Sequence, residues 1–252
     1  MQLGIQISSL KPLLTNEEQV RTSFSKAAAL GCSIVQLQWI DPSVPPERIS
    51  DALEAAGLRS VSVQDFYESV RDKPEYYLRL NALTGGAWLC VSRVPERLKS
   101  VEGLPQFVQE LTALAESAKQ RGQRVCFHPV ASDYALINGV CPVDDLLEAI
   151  PDLQLCLDLY HLSKAGYDMP SWIRKHGNRI VMVHFKDAQG GRLVPAGQGD
   201  VCWDGVVEAC LQAGVPYAFA EQETWEKDPF LCLGEALEWI TERLQKAKKM
   251  LP

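Results

Sequence analysis

The run Leu153-Gln154-Leu155-Cys156-Leu157-Asp158 and the run Ile180-Val181-Met182-Val183-His184-Phe185 enclose a helical stretch near Pro170–His176. Two short apolar runs joined through a helix read as parallel neighbours, because the crossover returns the chain in the same direction. The unit repeats outward from there. Upstream, Leu3–Ile7, Ile34–Gln38, Ser60–Gln64, Ala87–Val91 and Arg124–His128 read as strands. They alternate with helices at Glu17–Leu30, Pro46–Ala56, Pro74–Leu83, Leu104–Gln120 and Val143–Ile150. Downstream come a helix at Trp203–Ala213, a strand at Ala218–Glu221 and a closing helix at Leu233–Lys248. Gly31, Gly57 and Gly214 follow helices at the position where a left-handed stop is favoured. Eight strands and eight helices in 252 residues, with no Pro-, Gly- or Ser-rich linker, predict an α/β chain folded as a single (β/α)8 TIM barrel. That fold takes about 250 residues, so one domain spans 1–252. A doubly wound sheet is the rival. Its phosphate-binding glycines are missing after the first strand, which continues Gln6-Ile7-Ser8-Ser9-Leu10.

Charge narrows the partners. Twenty-five Lys and Arg against 32 Asp and Glu give −7, whereas a nucleic-acid binder presents a basic face. The cluster Arg243, Lys246, Lys248 and Lys249 shares its helix with Glu235, Glu238 and Glu242, and reads as a solvated helix end. No apolar run nears the ~18 residues of a membrane span. Met1–Ile5 reads directly as a strand with no charged leader, so a cytoplasmic location is expected. Eight cysteines (32, 90, 126, 141, 156, 202, 210 and 232) form no CxxC pair. They read as buried reduced thiols rather than disulfides or a Cys-rich zinc site.

A barrel of this kind does its chemistry at the C-terminal ends of its strands. Three of the four histidines fall there, in Cys126-Phe127-His128-Pro129, Asp158-Leu159-Tyr160-His161 and His184-Phe185-Lys186-Asp187. Asp158, His184 and Glu221 end consecutive strands and can converge on one divalent ion. A mixed nitrogen and oxygen set suits Mn, Zn, Co, Fe(II) or Mg better than a soft metal.

On these residues the chain resembles the xylose isomerase-like barrels, which include sugar phosphate isomerases and epimerases. The resemblance spans the whole chain and is strongest over 124–225. It is carried by Leu157-Asp158-Leu159-Tyr160-His161, Val183-His184-Phe185-Lys186-Asp187, Pro195-Ala196-Gly197-Gln198-Gly199-Asp200 with Trp203, and Ala220-Glu221. It implies one divalent metal (Mn, Zn, Co or Mg) held by a strand-five glutamate, Asp158, His184 and Glu221. The chain departs at the first of these. Its fifth strand ends Phe127-His128-Pro129-Val130, closer to inosose dehydratase-like relatives, so His128 is the candidate fourth ligand and Asp133 the alternative.

The resemblance further implies proton removal next to a carbonyl, through an enediolate, by a sugar isomerase or epimerase. Glu221, or Glu223, is the candidate base, and His161 and Lys186 are candidate partners. Lys186 lies two residues past His184 and so projects from the same side of the strand. Dehydration of an inosose or a dehydroshikimate-like keto compound is the alternative, which the lost glutamate favours, and a non-catalytic barrel with a degraded metal site is a third reading. Gln6, Gln36, Gln38, Gln64 and Glu223 are candidates for a carbohydrate or polyol-derived substrate, and Arg93 for an anionic group on it. Trp39, Phe66, Trp88 and Trp225 are candidate apolar wall, with core packing the readier role for Trp88. A homo-oligomer is left open.

Overall fold

The computed structural model describes residues 1–250. Ten strands run in chain order: β1 Gln2–Gln6, β2 Ile34–Leu37, β3 Arg59–Phe66, β4 Trp88–Ser92, β5 Arg124–His128, β6 Gln154–Asp158, β7 Ile180–Phe185, β8 Asp187–Gln189, β9 Arg192–Val194 and β10 Tyr217–Ala220. The helices are α1 Glu17–Ala29, α2 Pro46–Ala56, α3 Tyr67–Asp72, α4 Pro74–Leu83, α5 Gly103–Lys119, α6 Pro142–Ala149, α7 Leu159–Lys164, α8 Met169–His176, α9 Val206–Gln212 and α10 Pro229–Met250. Eight parallel strands close in the order β1-β10-β7-β6-β5-β4-β3-β2, the expected single (β/α)8 barrel. Closure leaves no unpaired edge in this sheet.

Local chemistry places the ends. Asn16 caps α1 by accepting from the Gln19 amide at 3.0 Å, and α2 starts at Pro46 and stops at a left-handed Gly57. Gly4 is required by close approach, since a Cβ there would lie 2.2 Å from the Ile34 carbonyl of the adjacent strand.

Alternate strand residues face the barrel axis. A middle layer holds Ile34, Cys90, Cys126, Cys156, Met182 and Phe219. Above it, toward the C-terminal ends, lie Gln6, Gln36, Gln64, Ser92, His128, Asp158, His184 and Glu221, none more than 4% exposed. The register sets Ser92 beside His128, Asp158 beside His184 and Gln6 beside Gln36.

Several details differ from the sequence reading. The first strand stops at Gln6, not Ile7, because the Gln6 side chain accepts from the Ser8 amide and starts a 3-10 turn over Ile7–Leu13. The region after β7 carries the antiparallel hairpin β8–β9. Trp88 opens β4, so it lies at the N-terminal end of the barrel, with Nε1 donating to Gln154 Oε1 at 2.7 Å. It is therefore not part of a wall at the functional face. All eight cysteines are free, and seven are buried as expected, but Cys202 is exposed. No helix among the described residues is long and apolar enough to cross a membrane.

Candidate metal centre and active site

His128 ends β5, Asp158 ends β6, His184 lies in β7 and Glu221 follows β10. Each offers one ligand atom, and the four atoms lie within 4.8 Å of one another. His184 Nδ1 is 2.9 Å from Glu221 Oε2, and His128 Nε2 is 3.9 Å from Asp158 Oδ2.

The contacts of these four residues share one pattern. One polar atom of each is held: His128 Nδ1 by Ser92 Oγ at 3.2 Å, Asp158 Oδ1 by the His161 amide at 3.0 Å, Glu221 Oε1 by Ser8 Oγ at 3.1 Å, and His184 Nε2 by Gln36 Oε1 at 2.5 Å. The other atom of each has no hydrogen-bond partner outside the four: His128 Nε2 and Asp158 Oδ2 have none, and His184 Nδ1 and Glu221 Oε2 meet only each other. Buried polar atoms with no partner outside their own cluster are costly, and four of them turned toward one point form a donor set that fits a cation. Two imidazoles and two carboxylates fit Mn, Zn, Co or Fe(II), with Mg the poorest match to nitrogen ligands.

Electrostatics agrees with the geometry. Burial, with the positive His184 nearby, pushes His128 down to about 3, so it is a neutral imidazole with a lone pair to give. Glu221 is held well below the usual carboxylate range: burial opposes its charge, but Lys186 and His184 outweigh burial. His184 is held well above its ordinary value against the pull of burial, by Cys156 and Glu221.

Lys186 reaches the same face. Its ammonium pairs with Glu223 and stands 4.0 Å from Asp158 Oδ2. Burial works against its charge, and Glu221, Asp158 and Glu223 keep it protonated. Glu223 is raised by burial and by the neighbouring Glu221. His161 Nε2 is 3.8 Å from Asp158 Oδ2, its Nδ1 is buried without a partner, and burial lowers its pKa.

The remaining sequence candidates divide. Asp133 is absent from the cluster: it accepts from the Val130 amide at 2.9 Å and pairs with Lys99 at 3.1 Å, so His128 takes the fourth position. Gln6, Gln36, Gln38 and Gln64 bond to one another inside the barrel. The exposed Arg93 guanidinium lies 4.1 Å over the Phe66 ring, whose other neighbour is Trp39 at 5.7 Å. Both Trp39 and Arg93 have positive φ, 56° and 55°, an uncommon state for large side chains. Trp225 donates to the Ser9 carbonyl at 2.8 Å.

Asp187, beside Lys186, turns away from the cluster. It accepts from the amides of Ala188, Gly197, Gly199 and Val201 and from Trp203 Nε1, all at 2.8–3.2 Å. A Cβ at Gly199 would fall 2.2 Å from its Oδ1, which explains the glycines of that loop. Ser8, Ser92 and Cys156 are the residues that sequence reasoning missed. Alternation along β4 and β6 points Ser92 and Cys156 inward; nothing local marks Ser8.

The model of a family described as xylose isomerase-like TIM barrel matches residues 24–243. No curated protein matches the chain. Among solved structures, an L-ribulose 3-epimerase is 15% identical over 99% of this chain and 97% of its own, with a TM-score of 0.81. A D-allulose 3-epimerase from Methylomonas sp., in complex with D-allulose, is 18% identical over 96% and 97%, with a TM-score of 0.78. A sugar phosphate isomerase/epimerase from Parabacteroides distasonis is 16% identical over 94% and 92%, with a TM-score of 0.79. At these identities the likeness is one of fold.

Proposed function

Since the chain belongs to the xylose isomerase-like TIM barrel family, we propose that it is a divalent-metal-dependent sugar isomerase or epimerase. The observation that carries the reading is the set of four buried ligand atoms with no partner outside their cluster, with Lys186 and Glu223 beside them. Small ketoses of the kind named for its structural neighbours are the substrates to try first.

A divalent ion held by His128, Asp158, His184 and Glu221 would polarise a substrate carbonyl and steady the charge that develops on its oxygen. The chain's own groups do the rest. Glu221, ionised at neutral pH, takes the proton from the carbon beside the carbonyl. The Lys186 ammonium holds an oxygen of the resulting enediolate by charge-assisted hydrogen bonding. Glu223, the carboxyl of raised pKa, returns a proton. His161, neutral and with a free Nδ1, orients a substrate hydroxyl. Arg93 receives an anionic group on the substrate, if one is present. Burial of the cluster excludes bulk water and strengthens each of these contacts.

One observation favours a second reading, a dehydratase of an inosose or dehydroshikimate-like compound. His128 stands where the family's second carboxylate would flank the substrate, and it is held neutral inside the cluster. Glu223, the acid of raised pKa beside the cluster, suits protonation of a leaving hydroxyl. A metal-supplemented screen of ketoses, inososes and dehydroshikimate in deuterated water separates the two. Deuterium at the carbon beside the carbonyl with no loss of water supports the isomerase; loss of water with an enone absorbance supports the lyase. Neither product with any of these, despite bound metal, counts against both.

A further inference from the structure

The four glutamines first read as substrate-facing form a one-way chain of hydrogen bonds under the metal centre. Gln6 Nε2 donates to Gln36 Oε1 at 3.2 Å, Gln36 Nε2 to Gln64 Oε1 at 3.0 Å, and Gln64 Nε2 to Gln38 Oε1 at 3.2 Å. All four are buried. We propose that Gln36 is a positioning residue: its carbonyl oxygen fixes a proton of His184 on Nε2 and so leaves Nδ1 as the ring atom that meets the metal.

The direction of the chain is set at two points by groups that have no choice of role. The Ser8 backbone amide can only donate, and it faces Gln6 Oε1 at 3.4 Å, which turns the Gln6 amide nitrogen toward Gln36. The Met182 thioether can only accept, and it lies 3.5 Å from Gln36 Nε2. Both anchors give the same orientation, with Gln36 Oε1 directed at His184 Nε2, 2.5 Å away. A carbonyl oxygen cannot donate, so Nε2 carries the hydrogen. The Cys156 sulfur, 3.1 Å from the same nitrogen, is a second acceptor for it. Nδ1 is then the ring atom turned into the cluster, where it meets only Glu221 Oε2, 2.9 Å away. A metal-bound histidine whose other nitrogen is fixed in this way is a better-oriented and more basic ligand.

The chemistry distinguishes this role from substrate recognition. The Gln36 oxygen already accepts from both Gln6 and His184, so a sugar hydroxyl could engage it only by breaking the ladder. Gln36 also sits at the node where Gln6 and His184 donate to a single oxygen. Its replacement therefore disturbs His184 more than replacement of any other glutamine does.

The part of the proposal that concerns metal affinity rests on the metal centre argued above; the hydrogen on Nε2 does not. The test uses 15N-histidine-labelled full chain, first metal-free and then titrated with Mn(II) for binding. In the metal-free wild type, a protected Nε2–H signal of His184 is expected, and it is lost or strongly shifted in Gln36→Leu. In the titration, Gln36→Leu should weaken Mn(II) binding by about 10- to 100-fold. Gln36→Glu, which keeps an acceptor oxygen, should restore it to within a few-fold. Should Gln36→Leu fail to fold, the wild-type spectrum together with Gln36→Glu still decides. A wild-type His184 without hydrogen on Nε2 overturns the proposal, as does wild-type Mn(II) affinity in Gln36→Leu. A protected Nε2–H in a wild type that binds no Mn(II) supports Gln36's hold on His184 and overturns the metal centre instead.

Discussion

The barrel interior has two halves of opposite character. Strands β1–β4 line the upper layer with Gln6, Gln36, Gln64 and Ser92, neutral groups that bond largely to one another. Strands β5–β7 and β10 supply His128, Asp158, His184, Lys186, Glu221 and Glu223. The first half finds partners for its polar groups, within itself and on His128 and His184; the second leaves four atoms with no partner outside their own cluster. A fully satisfied polar network rigidifies a core, whereas an incomplete one is a site awaiting a ligand. On the proposed function, support falls to one half and chemistry to the other.

The sharpest way to break the contrast is to disarm the ionisable half. Glu221→Gln should reduce turnover by about 10²–10⁴-fold, the range for loss of a positioned base, read as deuterium incorporation with an active substrate. Turnover near wild type would move the base to Glu223. Next in size, Asp187→Ala strands five donors in the loop after β7. At about 1–3 kcal/mol per buried group left unpaired, partly relieved by water, the expected loss is about 3–5 kcal/mol in denaturant unfolding, with little change in the cluster itself.

His128→Glu is the third test. It restores the carboxylate of the family pattern and should keep metal binding within about 10-fold of wild type, whereas His128→Ala should lose about 10-fold or more, both read by Mn(II) titration. The smallest effect is expected in the neutral half. Arg93→Gly relieves a left-handed backbone but loses the stack on Phe66. These terms are about 1–2 and 0.5–1 kcal/mol and opposite in sign. The larger backbone entropy that glycine brings to the unfolded chain, about 0.5–1 kcal/mol, opposes the relief as well. Stability should therefore change by less than about 1 kcal/mol, while binding of an anionic substrate weakens.

The two halves were not equally legible in the sequence. Strand–helix alternation carried the fold, because burial on both faces of a parallel strand writes a continuous apolar run such as Ile180–Phe185. The ionisable half was also legible. His128, Asp158, His184 and Glu221 stand at strand ends, and the structure brings them together. The neutral half was less legible for a physical reason. A glutamine at the end of a strand looks the same whether it meets solvent, a sugar or another glutamine, and only barrel closure sets Gln6 beside Gln36. The choice of His128 over Asp133 likewise depends on where the 3-10 turn Ala131–Tyr134 sends its carboxylate, toward Val130 and Lys99. Ser8 meets Glu221 across 213 residues, a contact that no local pattern records.

On the proposed function, the ionisable half is incomplete without one divalent ion. Metal content of the purified chain, followed by thermal unfolding with and without excess Mn(II) or Co(II), tests it most directly. One ion per chain is expected. At 100 times Kd the expected stabilisation is about 2.7 kcal/mol, a rise in Tm of roughly 5–11 °C that Asp158→Asn abolishes. No bound ion, together with an unchanged Tm in the wild type, would contradict it.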